Sequence, residues 1–488
     1  MFNELTTKLD SWIEMGIPGY DCIVYHNGEC VYRHQNGYSD RENKIKMNGT
    51  EKYNIYSCSK PITCTAALQL YEKGLYKLDD KLSDYMPEFE TMYVKTDDGI
   101  KKAENSITIK DLFCMTAGFS YDICSPMIEL CKKETNGKCQ TRELMKYLAK
   151  EPLLFEPGER YEYSLCHDVL AAFVEVLSDM RFGEYVKKHI FEPLGMNNST
   201  FLLDDSELNT ICPQYTGEKI ELRERTIDYK FGSEYESGGA GCISTVDDYI
   251  KFLEALRVGD IILKNKTIDL MSTNHLSESQ SVTCPGKYGY GLGVRCPKDD
   301  SVTDFGWGGA AGAYMFIDRV NCITAFYAQH VLNDPSQIVR NDIVAIIQNI
   351  LKLNDWYFEY ERYDEEIEKY LASNETFYVS ETGAEFVAMG FIDNKLHIKV
   401  YYGNRHYSDH IGFLTIYDKN GEEIHATNMK YINNFEEIEP NYFAPTETWV
   451  DYTFDISSEE IEGCRLYERY WKYQNYVDGD WEVTFRIP

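Results

Sequence analysis

The sequence predicts a mixed α/β chain, of the α+β kind, followed by a smaller all-β region, and three observations predict it. Strand-like runs stand at both ends of the first 350 or so residues. Helix-period segments fill the interval between them, and strands so far apart can still share one antiparallel sheet with the helical insertion packed beside it. The charge then changes: from Asp355 to the end, 28 acidic residues face 11 basic ones, a net of −17 against −31 for the whole chain. The expected division is a large mixed domain over 1–352 with a helical subdomain at about 80–235, an acidic connector over 353–374, and an all-β sandwich, or alternatively a barrel, over 375–488.

The elements follow in chain order. YDCIVYHNGECVYRHQN, residues 20–36, places two extended runs around Asn27-Gly28, a pair suited to a type I′ hairpin turn. PITCTAALQLYEKG, from Pro61, reads as a strongly amphipathic helix closed by Gly74. RELMKYLAK and HDVLAAFVEVLSDM keep the 3.6-residue period. Thr245-Val246-Asp247-Asp248 has the form of a capping box, opening a helix through Tyr249, Phe252 and Leu253. From 288 onward YGYGLGVR, VTDFGWGGAAGAYMFID and CITAFYAQH read as strands, two of them rich in glycine, and 335–352 returns to helix. EFVAMGFI, KLHIKVYY, GFLTIYD, WVDYTFDI and WEVTFRI then alternate between turn signals such as Lys419-Asn420-Gly421.

Composition narrows the function. A net charge of −31 without a basic stripe argues against nucleic acid as a partner. No run of eighteen apolar residues is present and the N-terminus lacks a basic start followed by an apolar stretch, so neither a membrane span nor an export signal is expected. Fifteen scattered cysteines with no CxxC pair suit a reducing compartment, where they act as small buried hydrophobes. A cytoplasmic location is the expectation.

One motif carries chemistry. Tyr56-Ser57-Cys58-Ser59-Lys60 is an S-x-x-K sequence, and residues three apart on a helix lie on one face, so the Ser57 hydroxyl and the Lys60 amine can meet. Ser59 would point elsewhere. A serine at a helix start also has unclaimed backbone N–H groups able to stabilise an oxyanion. Spacing alone is weak evidence, because such a match arises by chance in a chain of this length and is usually a surface serine.

The surrounding blocks are more specific. YSCSKPITCTAALQLYEKGLYKLDDKLSDYMPEF resembles the nucleophile segment of the serine β-lactamase and penicillin-recognising superfamily, in its class C-like branch with the family VIII carboxylesterases. The likeness continues through ITIKDLFCMTAGFSYD, FEPGERYEYSLCHDVLAAFVEVL, SGGAGCISTVDDYIKFL, YGYGLGV and FGWGGAAGAYMFID, roughly the first 350 residues. The resemblance implies Ser57 as the acylated nucleophile, Lys60 as its activating partner, and Tyr163 as the Y-x-N tyrosine that acts as general base or shares a proton with the lysine. It implies an oxyanion hole from the backbone of Ser57 and Ala310, substrate contact at Trp307, Gly308, Gly309 and Leu165, and no metal or other cofactor. For Tyr163 the competing reading is a core tyrosine with a satisfied hydroxyl, the commoner fate of tyrosines; for Trp307 a buried core aromatic competes, but within this block the substrate-facing role is favoured.

Two positions depart from the lactamase pattern. The Y-x-N asparagine is Leu165, and the cation of the K-T-G block is Trp307. Groups that would hold an acyl-amide and a substrate carboxylate are therefore missing, which weakens that substrate class. The implied activity is that of a carboxylesterase or acyltransferase on a small acyl substrate. A β-lactamase, a peptidase acting on D-amino acids, and a non-catalytic binding or scaffold protein of the same fold remain the alternatives. No G-x-S-x-G pentapeptide points to a different esterase fold. His406 and His410 lack a third ligand and read as exposed loop residues, and His167 reads as structural. The acidic β region could recruit a partner, cover the site or support a homodimer.

Overall fold

The computed structural model describes residues 2–332 except 218, 284–287 and 299–301, the helix 340–352, and strand segments between 376 and 484. Two units are distinguished, Met1–Gln348 and Asn349–Pro488. The first is built on a sheet of eight strands: β1 (Gly19–His26), β2 (Glu29–Asp40), β3 (Ile45–Lys46), β4 (Tyr288–Tyr290), β5 (Arg295–Pro297), β6 (Asp304–Gly308), β7 (Tyr314–Asp318) and β8 (Ile323–Gln329). Their spatial order is β4-β5-β6-β7-β8-β1-β2-β3, all pairs antiparallel. The two ends of the unit meet where β1 lies against β8, with Ile23 opposite Phe326 and Val24 opposite Ala325.

The helices that position the site are α1 (Asn3–Glu14), α2 (Ser59–Glu72), α3 (Thr141–Leu148), α4 (Cys166–Ser178), α5 (Val246–Val258) and α6 (Arg340–Lys352). In α1, Leu5, Leu9 and Trp12 recur at helical spacing and are buried, and Trp12 meets Tyr327 of β8 edge-on at 5.2 Å. Residues pointing to the opposite face of β8 meet α5, where Tyr249 stacks on Phe326 at 4.3 Å. The alternation of side chains along a strand thus supplies two covered faces from one buried sequence run.

Several elements depart from their sequence reading. Helix α2 is buried from Ser59 through Leu68, polar residues included, so it is a central helix rather than an amphipathic one. Thr63 finds a partner inside, its Oγ1 donating to the Gly238 carbonyl at 2.7 Å, whereas the buried Thr65 hydroxyl has none among the described residues. YGYGLGVR and VTDFGWGGAAGAYMFID each form a hairpin instead of one strand. Gly293 at φ +90° and Gly312 at φ +101° take the turns, conformations that cost other residues strain. Thr245 caps α5 through the Asp248 N–H at 3.1 Å, but the Asp248 carboxylate binds the Asn198 N–H at 2.6 Å, so the box is replaced by a tertiary tie. Within the expected helical stretch of about 80–235, helix ends at Leu194 apart from a short 3-10 segment, Asp205–Thr210. Between 195 and 235 the chain is mostly irregular, and Tyr215–Thr216 pairs in parallel with Val331–Leu332. Asn27 and Gly28 take positive φ, +52° and +83°, as a type I′ turn requires.

In the second unit the described strands pair antiparallel. One sheet runs Thr376–Tyr378, Phe386–Ile392, Lys395–Tyr402, Thr448–Phe454, Ala426–Asn433 and Glu436–Ile438 in spatial order. Another centres on Phe413–Tyr417 and Arg465–Lys472. The connector 353–374, the turn at Lys419-Asn420-Gly421, and both His406 and His410 lie outside the described residues.

Candidate active site

Ser57 sits in a single 3-10 turn, Tyr56–Cys58, that feeds directly into α2. Four hydrogen bonds fix the turn. Tyr56 holds a left-handed φ of +46°, a conformation that costs a bulky residue about 1–3 kcal/mol. The Asn54 side-chain oxygen accepts its N–H at 3.1 Å, and its hydroxyl donates to Gln214 and, at 3.0 Å, to Asp228. From the other side Tyr249 of α5 donates to the Cys58 carbonyl at 2.7 Å. Ser59 is buried and turned away, its Oγ accepting the Cys242 N–H at 2.9 Å.

Two groups converge on the Ser57 oxygen. The Tyr163 hydroxyl lies 2.6 Å from Ser57 Oγ, and Lys60 Nζ lies 3.2 Å from it. Lys60 is wholly buried. It donates to the Gly239 carbonyl at 2.7 Å and stands 3.5 Å from the Tyr121 hydroxyl. Its ammonium also lies over the Tyr163 ring, 4.5 Å from the centroid, a placement that favours a cation. Tyr121 stacks on Tyr163 at 5.1 Å and faces Tyr229 at 5.9 Å. Burial, reinforced by Tyr163 and Tyr229, pushes the Tyr121 phenol well above its ordinary range, so it stays protonated.

The strand side of the site is β6. Trp307 packs on Tyr163 at 5.7 Å and on Tyr290 at 5.2 Å, and its Nε1 points to the Tyr163 hydroxyl at 3.4 Å. The turn after β6 approaches the nucleophile segment closely: a side-chain carbon on Gly309 would fall 2.3 Å from the Ile55 carbonyl oxygen. Gly308 is less constrained and faces the Tyr314 ring. Ala310 follows Gly309 and packs beside Tyr56, Ala240 and Ala311. Its N–H has no hydrogen-bond partner among the described residues.

Leu165, at the start of α4, is 2% exposed and lines a small cavity with Phe119, Leu148 and Leu153. Its backbone N–H is held by the Ser120 carbonyl at 3.3 Å. His167 is also buried, with Nε2 3.2 Å from the Phe113 carbonyl and 3.6 Å from Cys64 Sγ. Burial, together with the nearby Lys60 charge, lowers its pKa to about 3, so it is a neutral structural residue. The site also contains Tyr121, Tyr229, Asp168 and Gly239, none singled out by the sequence. The Asp168 carboxylate accepts from Tyr235 at 2.8 Å and Ser237 at 2.7 Å. Among the described residues no cluster of three metal-ligating side chains occurs, and no helix is long and apolar enough to cross a membrane.

Comparisons with known proteins agree with this geometry. The chain is 27% identical to Esterase EstB of Burkholderia gladioli over 344 residues, 63% of this chain and 84% of that one. It is 29% identical to the lovastatin esterase of Penicillium rubens over 319 residues, 55% of this chain and 76% of that one. Among solved structures, EstCE1, described as a hydrolase with promiscuous acyltransferase activity, superposes with a TM-score of 0.59 at 25% identity, covering 70% of this chain and 97% of its own. Residues 5–349 match the Beta-lactamase family, and the chain belongs to that family, as a serine hydrolase of the β-lactamase fold.

Proposed function

We propose that the protein is a carboxylesterase or acyltransferase that forms an acyl-enzyme on Ser57. The observation that carries the reading is the convergence of Tyr163 at 2.6 Å and Lys60 at 3.2 Å on one serine oxygen. Serine is a weak nucleophile until a neighbouring group takes its proton, and both neighbours here are within reach. In the first step Ser57 Oγ bonds to the carbonyl carbon while its proton passes to the Tyr163–Lys60 pair. The N–H groups of Ser57 and Ala310 would receive the oxyanion, a contribution typically worth about 3–4 kcal/mol per donor. The ester C–O bond then breaks and the leaving alkoxide takes the proton. Water, or a second alcohol, attacks the acyl-enzyme in the reverse sense and frees Ser57.

Trp307 supports an ester over a lactam or a peptide terminus. It occupies the strand position where a cation would pair with a carboxylate, and offers an aromatic face instead. EstB and the lovastatin esterase are named as esterases, which points the same way. A small neutral acyl group is the proposed substrate. A cytoplasmic setting completes the proposal, since the described cysteines are free thiols and most are buried.

The test is a substrate panel on the intact chain: short-chain aryl esters, a chromogenic cephalosporin and D-amino-acid amides. Ester turnover at least about tenfold above the other two in kcat/KM is expected. Preferential cephalosporin or amide turnover would overturn the esterase reading while leaving the nucleophile in place.

A further inference from the structure

Lys60 is a buried cation with no carboxylate at ion-pair distance among the described residues, which is a costly arrangement unless its charge is balanced nearby. The balancing group is found one peptide away. Asp168, in the first turn of α4, is 1% exposed and takes part in no ion pair with a described cation. Its Oδ1 accepts from the Tyr235 and Ser237 hydroxyls. Its other oxygen faces the backbone of Gly239. A side-chain carbon built on that glycine would fall 2.5 Å from Asp168 Oδ2 and 3.5 Å from Lys60 Nζ. Asp168 Oδ2 thus lies against one side of the Gly239 backbone, and the Gly239 carbonyl accepts from Lys60 at 2.7 Å.

The same turn is tied down at both neighbours. Ser237 Oγ donates to Asp168 and accepts the Ala240 N–H at 3.0 Å. Gly238 is wedged between α2 and α4: a side-chain carbon there would lie 2.4 Å from the His167 carbonyl oxygen and 2.6 Å from Ala171 Cβ. Two adjacent glycines thus pass through a gap that admits no side chain, and the carbonyl that holds Lys60 is presented from it. A carboxylate in the first turn of a helix also gains from the helix dipole. That gain alone would not require two hydroxyl donors, a bare glycine and a lysine on the far side of one peptide.

We propose that Asp168 is the positioning residue of this site: through the Gly239 backbone, which packs on Asp168 and is bound by Lys60 at its C=O, it sets where the ammonium stands beside Ser57 and balances its charge. Polar chains of this kind strengthen when both ends are charged with opposite sign. Burial raises the Asp168 pKa, while Ser237, Tyr235, Lys60 and the Gly239 N–H act to keep it ionised. The reaction geometry then depends on a residue that never touches substrate.

The inference rests on the serine-hydrolase reading of the same site, and the experiment separates the two. Labelling of Ser57 by a fluorophosphonate is followed in time, together with kcat and KM on an aryl ester, with rates expressed per folded molecule. Asp168→Asn keeps the shape and the two bonds at Oδ1, removes the charge, and sets an amide N–H2 against the Gly239 backbone. It is expected to lower kcat and the labelling rate about 100-fold with KM within about threefold. Labelling and kcat at the wild-type rate, or a loss confined to KM, overturn the inference. Absence of labelling in the wild type overturns the serine-hydrolase reading instead. If Asp168→Asn does not fold, Ser237→Ala decides: it keeps the charge and removes one bond. A roughly tenfold fall in kcat at unchanged KM supports the inference, and wild-type kcat contradicts it.

Discussion

The domain buries two cations against aromatic rings and treats them in opposite ways. Arg295 on β5 is 12% exposed and makes a direct ion pair with Asp304 on β6 at 2.7 Å. Tyr288 covers its guanidinium at 4.2 Å and Tyr314 at 5.5 Å. Burial opposes its charge, but Tyr314, Asp304 and Tyr288 outweigh that and hold it firmly protonated. Lys60 has the same aromatic surroundings, with Tyr163 and Tyr121 in place of Tyr288 and Tyr314. Yet its partners are a carbonyl, a phenol and the Ser57 hydroxyl, and its carboxylate stands behind a peptide. Direct pairing makes a cation a structural post. Interposing a peptide leaves it close enough to a hydroxyl to exchange a proton.

The comparison breaks most sharply at Ser57. Ser57→Ala should lower kcat for ester hydrolysis by at least about 10⁴-fold while leaving the melting temperature within a few degrees, read by steady-state kinetics and calorimetry. Lys60→Arg is the next largest effect. It keeps a buried positive charge but replaces a group that can give up its proton by one that cannot, so a loss of about 10³-fold in kcat is expected. Near-normal turnover in Lys60→Arg would place the proton acceptor entirely on Tyr163.

Arg295 should give the mirror result. Arg295→Met strands Asp304, which is fully buried, and should cost about 3–5 kcal/mol in urea unfolding with kcat per folded molecule unchanged. Replacing Asp304 with leucine in the same chain should recover much of that loss, because removing both charges is far cheaper than removing one. A smaller effect is expected at Trp307→Phe, which keeps the ring packing on Tyr163 and loses the Nε1–H directed at its hydroxyl. A fall of about threefold to tenfold in kcat should follow, with little change in stability.

The smallest effect concerns a buried histidine remote from this pair. His330 is 2% exposed between Tyr53 and Tyr215, and neither ring nitrogen has a hydrogen-bond partner among the described residues. Burial lowers its pKa to about 4. The unfolded chain therefore binds a proton near pH 6.5 that the folded one refuses, so stability from this group is full above pH 6.5 and is lost as the pH falls toward 4. His330→Phe should flatten the dependence of the urea midpoint on pH across that window. An unchanged slope would mean that the imidazole is satisfied in the folded state.

How much of the site was legible follows from distance along the chain. Ser57 and Lys60 are three residues apart, and a helical start brings them together by local geometry alone. Tyr163 and Trp307 came from the order of whole blocks, since nothing local links residue 57 to 163 or 307. Asp168 and Gly239 were missed because their relation exists only after α2, α4 and the 235–241 turn have packed. A signal was present in HDVLAAFVEVL: an acid, Asp168, in the first turn of a mostly apolar helix marks a buried charge that needs a partner. Leu165 was reached only through its motif position, and its packing beside Phe119 and Leu153 is set by tertiary structure. In the fold, the hairpin at Asn27-Gly28 was readable from its turn residues. The glycine-rich runs at 288–318 were read as single strands because glycine marks both a close approach and a turn, and only the pairing partner shows which.

The central claim is that Ser57 is the residue acylated, with Lys60 and Tyr163 closing on its oxygen. The most direct measurement is to treat the native chain with a fluorophosphonate, digest it and map the adduct by mass spectrometry. The account predicts a single adduct on Ser57, absent from Ser57→Ala and strongly slowed in Lys60→Arg. An adduct on Ser59 or on any other residue, or undiminished labelling of Ser57→Ala, would contradict it.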